Sequence, residues 1–128
     1  MILVDTNVLI AYSRTADPRL IAVFQTQSAA VCGIMREELL HGARTPRERS
    51  QLLTMLGTLT SIPIADVLWD DVGDNLALLR SRGIAVPFSD VIVATLAISV
   101  SIELWTRDKH FILIQRVLPS LRLFVEPP

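Results

Sequence analysis

The stretch Ile2-Leu3-Val4-Asp5-Thr6-Asn7 is an apolar run cut short by an acid and two polar residues. Three apolar side chains in a row, without alternation, describe a strand covered on both faces, because a half-exposed strand would alternate. Asp, Thr and Asn carry side-chain oxygens that can accept the free N–H groups of a first helical turn, so a helix is predicted over Val8 to Ser13. A doubly buried strand that feeds a helix begins a βαβ unit, and such units build parallel sheets with helices on both faces.

The same punctuation recurs along the chain. Short apolar runs predict strands over Ala29 to Cys32, Ser61 to Ile64, Glu103 to Thr106 and Leu121 to Val125. Between them, Asp17-Pro18 supplies a cap and a first-turn proline for a helix over Arg19 to Gln27. Another helix is predicted from Ile34 to Gly42, and Thr45-Pro46-Arg47-Glu48 is a capping box that opens a helix to Gly57. Asp66 is read as the cap of the longest helix, whose Leu68, Val72, Leu76 and Leu79 keep helical spacing until Gly83 stops it. Ser89-Asp90 opens a helix from Val91 to Val100, and a short one covers Phe111 to Val117. The expected fold is a three-layer α/β/α sandwich with a central, mostly parallel sheet, formed as one domain over residues 1–128.

Composition agrees with that class and excludes others. The chain has 128 residues, 51% hydrophobic and 20% charged, with a formal net charge of −1. That is a single domain's length, an apolar content incompatible with disorder, and a charge balance that projects no field towards a polyanion or an anionic membrane. One cysteine excludes an intramolecular disulfide and a Cys-rich zinc site. The apolar stretch Val91 to Ile102 falls short of the about 20 residues that span a bilayer. No basic segment precedes Ile2, so no signal peptide is expected and the protein is read as cytoplasmic, with no membrane association. A mean hydropathy of +0.47 predicts buried strands together with an apolar surface held for a partner.

Ligands of open parallel sheets gather at the carboxyl ends of the strands, near the point where strand order reverses. Asp5 ends the first predicted strand, Asp108 follows the fourth, Asp90 lies in the opening turn of a helix, and Glu38 lies on the helix after the second strand. All four can converge on that edge, and clustered carboxylates repel unless a cation neutralises them. A hard divalent ion, Mg2+ or Mn2+, suits an all-oxygen set, and the chemistry that follows is phosphodiester hydrolysis by a metal-activated water. Thr6, Asn7, Ser89 and Thr106 flank the acids and can orient them or water.

Each acid also has a local explanation. Asp5 can cap the first helix, Asp90 can complement a helix dipole, Asp108 can serve a turn, and Glu38 can be half of a solvated Glu37-Glu38 pair. Helical spacing sets Glu38 above Ile34 and Met35 and so favours it over Glu37. His41 and His110 lack ligand-like spacing and are read as surface or helix-end residues. Cys32, Trp69 and Trp105 are read as packing residues. Arg outnumbers Lys by 11 to 1, and Arg44, Arg47 and Arg49 cluster at the capping box, where they can either hold a nucleic-acid backbone or decorate a solvated helix start.

Val4-Asp5-Thr6-Asn7-Val8-Leu9-Ile10, Glu38-Leu39-Leu40-His41-Gly42, Ser89-Asp90-Val91-Ile92-Val93-Ala94 and Trp105-Thr106-Arg107-Asp108-Lys109-His110-Phe111 together resemble, in that order, the motifs of PIN-domain nucleases. More narrowly, the chain resembles VapC-type toxins of toxin–antitoxin pairs over nearly its whole length, including Leu118-Pro119-Ser120-Leu121-Arg122-Leu123. The resemblance implies that Asp5, Glu38, Asp90 and Asp108 are the acidic quartet around Mg2+ or Mn2+, with Thr106 in support. The Glu37-Glu38 doublet leaves one register open. It further implies endoribonuclease cleavage of an RNA substrate, a homodimer, and a cognate antitoxin that covers the site. A non-toxin nuclease of RNA processing and a non-catalytic RNA- or partner-binding module are the alternatives. A phosphoacceptor receiver domain shares the alternating pattern, but Ser50 to Ala65 holds no acid to end its third strand.

Overall fold

The computed structural model describes all 128 residues. In chain order it contains β1 (Ile2–Val4), α1 (Thr6–Arg14), α2 (Pro18–Thr26), β2 (Ala29–Val31), α3 (Gly33–Gly42), α4 (Pro46–Gly57), β3 (Thr60–Ser61), α5 (Leu68–Ser81), α6 (Phe88–Ser99), β4 (Glu103–Trp105) and α7 (His110–Val117). The strands form one sheet in the order β3-β2-β1-β4, and every pairing is parallel. Ile2 and Leu3 lie opposite Ala29 and Ala30 on one side, and Ile2, Leu3 and Val4 lie opposite Glu103, Leu104 and Trp105 on the other.

β1 is central and all three of its residues are buried, as its unbroken apolar run requires. Helices α1, α3 and α4 pack together in one layer, while α5, α6 and α7 pack together in another. This division follows from connectivity: β1, β2 and β3 step outward in one direction, then the chain returns across the sheet to set β4 beside β1. Order therefore reverses between β1 and β4, and in such sheets the crevice beyond the carboxyl ends of those strands is where ligands bind.

Local rules explain most boundaries. Asp17 caps α2 by accepting the Arg19 N–H at 2.9 Å, and Thr45 caps α4 by accepting the Glu48 N–H at 3.1 Å. Glu48 reaches back to the N–H of Arg44 at 3.3 Å, one residue before the position expected of a capping box. Gly83, at φ +72°, ends the α5 region in the left-handed conformation that a side chain would oppose.

Three expectations need correction. Asp66 does not cap α5 with its side chain: the helix starts at Leu68, and Asp66 offers only its carbonyl, to the N–H of Trp69 at 3.2 Å. The third strand covers Thr60–Ser61, and its pairing ends where the Ile62 N–H meets the Val31 carbonyl, because Pro63 has no N–H to continue the ladder. The run Leu121 to Val125 is not a strand but one parallel bridge between Leu104 and Leu123. Leu121 is held by Leu118 and Gln115, and Glu126, just beyond the run, by Trp105 and Arg107.

Leu3 has no exposed surface and sits at the centre of the sheet. Leu3→Ala should therefore lower the unfolding free energy by about 2–5 kcal/mol, measured by urea denaturation of the purified protein.

Candidate metal centre

Asp5 directly follows β1, and its own N–H donates to the Trp105 carbonyl at 2.8 Å, so β1 and β4 stay paired up to the acid. Its carboxylate divides its work. Oδ1 accepts the Thr6 N–H at 2.8 Å and caps α1, while Oδ2 accepts the Thr106 hydroxyl at 2.7 Å. Capping and membership of an acidic cluster are thus compatible in one residue. Thr106 in turn accepts the Asp108 N–H at 3.0 Å, which fixes the turn after β4 against the end of β1. Asn7 adds a second tie, its Oδ1 accepting the Arg107 N–H at 3.2 Å.

The other acids arrive from three further elements. Glu38, in the middle of α3, accepts the Thr6 hydroxyl at 3.3 Å through Oε1. Glu37 lies on the outer side of that helix, where its carboxylate meets His41 at 3.2 Å, both largely exposed. The register left open by the doublet is thus set in this structure: Glu38 is the member nearest the crevice. Asp90 lies in the first turn of α6, where the helix dipole favours an anion. Asp108 accepts the N–H of His110 at 2.9 Å in an Asx-type turn that leads into α7.

His110 is brought into the same cluster, which its place in the sequence did not reveal. Its Nδ1 lies 3.1 Å from Asp90 Oδ2 and 3.2 Å from Asp108 Oδ1. The available signal was the Asp108-Lys109-His110 spacing, since an Asx turn folds the second residue after the acid back onto it. Which second acid the ring would meet depends on the packing of α6 and cannot be read locally.

Electrostatics marks the cluster as unusual. Burial raises the carboxyl pKa of Asp5 above its ordinary value, and the Asp108 charge adds to this while the Thr106 hydrogen bond opposes it. Burial also raises Asp90, with further contributions from Asp108 and Asp5, against the lowering effect of His110. Glu38 is raised by burial and by the charges of Asp5 and Asp90. No Lys or Arg forms an ion pair with any of these carboxylates. Arg107, adjacent to Asp108 in sequence, instead makes a two-pronged pair with Glu126 at 2.7 and 3.2 Å. Oxygen donors from four elements, with no Lys or Arg among them, form a set that suits a hard divalent ion.

Other candidates fall elsewhere. Arg44, Arg47 and Arg49 are exposed, and Arg47 lines an open groove of about 810 Å3 with Tyr12, Arg14, Gln51 and Met55, a groove that none of the four acids lines. Cys32 and Trp105 are buried as expected. Trp69 is not: it is 43% exposed, its ring stacked near that of Phe88 at a centroid distance of 6.5 Å.

Comparison with known proteins agrees with this architecture. The family model described as the PIN domain matches residues 2–117. Ribonuclease VapC32 from Mycobacterium tuberculosis is 33% identical over 111 residues, covering 86% of each chain. Among solved structures, DNA-bound VapBC from Salmonella typhimurium superposes with a TM-score of 0.85 at 20% identity, covering 96% of both chains. VapBC2 from Rickettsia felis, bound to a promoter DNA fragment, gives 0.82 at 20% identity, covering 97% of this chain and 98% of its own. With a family match that runs from β1 to the end of α7, this chain belongs to the PIN-domain family.

Proposed function

We propose that this protein is a metal-dependent endoribonuclease acting as the toxin of a toxin–antitoxin pair. The observation that carries the reading is the convergence of Asp5, Glu38, Asp90 and Asp108 on the carboxyl edge of the sheet with no Lys or Arg paired to any of them. The similarity to a protein named a ribonuclease supplies the substrate class, RNA. Mg2+ or Mn2+ is the proposed cofactor, with Asp5, Asp90 and Asp108 as its principal holders and Glu38 completing the acidic set.

A divalent ion bound there would supply Lewis acidity to a phosphate oxygen and lower the pKa of an attacking water. The chain's own residues do the rest. Thr106 holds Asp5 and the Asp108 turn in one register, and Thr6 aligns Glu38 while its backbone aligns Asp5. Asn7 fixes the backbone beside Asp108 through Arg107. These ties keep the carboxylates from splaying under their mutual repulsion, so the site is organised before substrate arrives. Exposed Arg44, Arg47 and Arg49 are proposed to steady the RNA backbone, where guanidinium forks suit phosphate oxygens.

The proposed partners are a cognate antitoxin and a second copy of the chain. Val67, Trp69, Leu78, Phe88, Ile112 and Leu113, on or beside α5, α6 and α7, are exposed apolar residues of the kind such contacts bury. Structural neighbours solved as VapBC assemblies support the antitoxin. Action in the cytoplasm fits this reading, and no helix is long and apolar enough to cross a membrane.

Chelation should abolish RNA cleavage by the purified protein, and added Mn2+ or Mg2+ should restore it. Asp90→Asn should lose more than about 100-fold, exceeding the roughly 10–100-fold loss expected of Thr106→Val, a residue that acts through Asp5 and Asp108. Full cleavage by Asp90→Asn would contradict the assignment, and arrested growth on expression of Asp90→Asn would favour a binding module.

The raised carboxyl of Asp5 also predicts a pH dependence. A group whose folded-state pKa lies above its unfolded value destabilises the fold when ionised, and this cost fades as pH falls through the folded pKa. Metal-free Asp5→Asn, whose amide oxygen can still accept the Thr6 N–H while its NH2 donates to the Thr106 hydroxyl, should be more stable than wild type at neutral pH. Thermal melts should show that gap closing as pH is lowered towards the ordinary carboxylate range, and a gap that widened would contradict the burial of this charge.

A further inference from the structure

We propose that His110 contributes Nδ1 as a nitrogen ligand to the divalent ion of this site, so that the centre is a mixed oxygen–nitrogen one with a built-in preference for Mn2+ over Mg2+. The inference rests on the metal-site reading above and adds to it a residue and a selectivity.

The geometry starts from three atoms. His110 Nδ1, Asp90 Oδ2 and Asp108 Oδ1 come from the start of α7, the first turn of α6 and the turn after β4, with nitrogen–oxygen separations of 3.1 and 3.2 Å. All three side chains can present ligand atoms lying within 4.8 Å of one another. In a six-coordinate ion with bonds of about 2.1 Å, adjacent ligands are roughly 3.0 Å apart, close to these separations. A hydrogen bond accounts for only part of the arrangement. One N–H on Nδ1 can aim at one carboxylate, and only the contact to Asp90 has hydrogen-bond geometry. The approach to Asp108 comes with the Asx turn, whose acid oxygen also accepts the His110 N–H, and an ion between the three atoms would use all of them.

Backbone constraints hold the ring there. The His110 N–H is bonded to Asp108 Oδ1 at 2.9 Å, and the next residue, Phe111, is fully buried. The His110 side chain itself remains 43% exposed at the mouth of the crevice, so it is open to an arriving ion. His41 is a useful contrast: it meets one exposed carboxylate, Glu37, one turn away on the same helix. Imidazole is a softer donor than carboxylate; Mg2+ accepts it poorly, and first-row transition metals accept it better, Mn2+ least among them. A nitrogen in the ligand set therefore discriminates against Mg2+ in a way that four carboxylates alone cannot.

The test uses the full chain, stripped of metal by chelation, in wild-type, His110→Ala, His110→Asp and Asp5→Asn forms. Metal-free thermal melts establish that each is folded. Mn2+ and Mg2+ affinities are then measured by calorimetry, and electron spin echo spectroscopy of the Mn2+-loaded proteins reads nitrogen coupling. Wild type should show the coupling of a directly bound nitrogen. His110→Ala should lose both that signal and about 10–100-fold in Mn2+ affinity. His110→Asp, with an oxygen donor in place of nitrogen, should recover affinity without the nitrogen signal and with a smaller ratio of Mn2+ to Mg2+ binding. Mn2+ bound to wild type without nitrogen coupling, or with affinity unchanged in His110→Ala, would overturn the inference while Asp5→Asn still weakened binding. Failure of wild type to bind Mn2+ would instead overturn the metal-site reading and this inference with it.

Discussion

Mutual repulsion among half-buried carboxylates is the constraint around which this protein is arranged. Burial already disfavours ionisation of Asp5, Asp90 and Glu38, and each also feels the charge of at least one other acid in the crevice. Left to local preference, such groups would turn outward or recruit arginine. Arg107, adjacent to Asp108 in sequence, is engaged by Glu126 instead. What holds the acids together is a relay of backbone N–H and hydroxyl donors running from Glu38 through Thr6, Asp5, Thr106 and Asp108 to the N–H of His110, whose ring meets Asp90. Neutral donors satisfy carboxylate oxygens without cancelling their charge, so the pocket keeps its attraction for a cation.

The fold makes that arrangement affordable. Order reversal between β1 and β4 opens a crevice at one end of the sheet, and the parallel layout sends α1, α6 and α7 away from that end with their N-termini towards it. Asp5 exploits both features, ending a fully buried strand while capping the helix that follows. A rigid apolar core beneath, with Leu3, Val4, Leu104 and Trp105 all buried, fixes the strand ends from which the acids project. Stability of the core and placement of the carboxylates are therefore one problem rather than two.

Much of this was legible in the amino-acid order because the relevant rules are local. An unbroken apolar run, a capping residue and a proline in the first turn each act over a few residues, and β1, α2 and α4 formed where those signals stood. Features decided by distant partners were not. Helical spacing already favoured Glu38 over Glu37, but the Thr6 hydroxyl that meets it comes from another element. Leu121 to Val125 has the composition of a strand, yet Gln115, Trp105 and Arg107 hold its flanks and leave one bridge. His110 is the helix-end residue expected, at the start of α7, but its contact with Asp90, 20 positions away, was not legible. Trp69 looked like core because aromatic residues usually are, and the structure leaves it 43% exposed beside Phe88.

The central claim is that side chains remote in the chain share one cation pocket, and diffraction tests it directly. Crystals grown without metal, soaked in Mn2+ and measured near the manganese absorption edge, should give an anomalous peak in contact with Asp5 and with at least one of Asp90 and Asp108. Peaks confined to isolated surface acids, or no peak at saturating Mn2+, would contradict it.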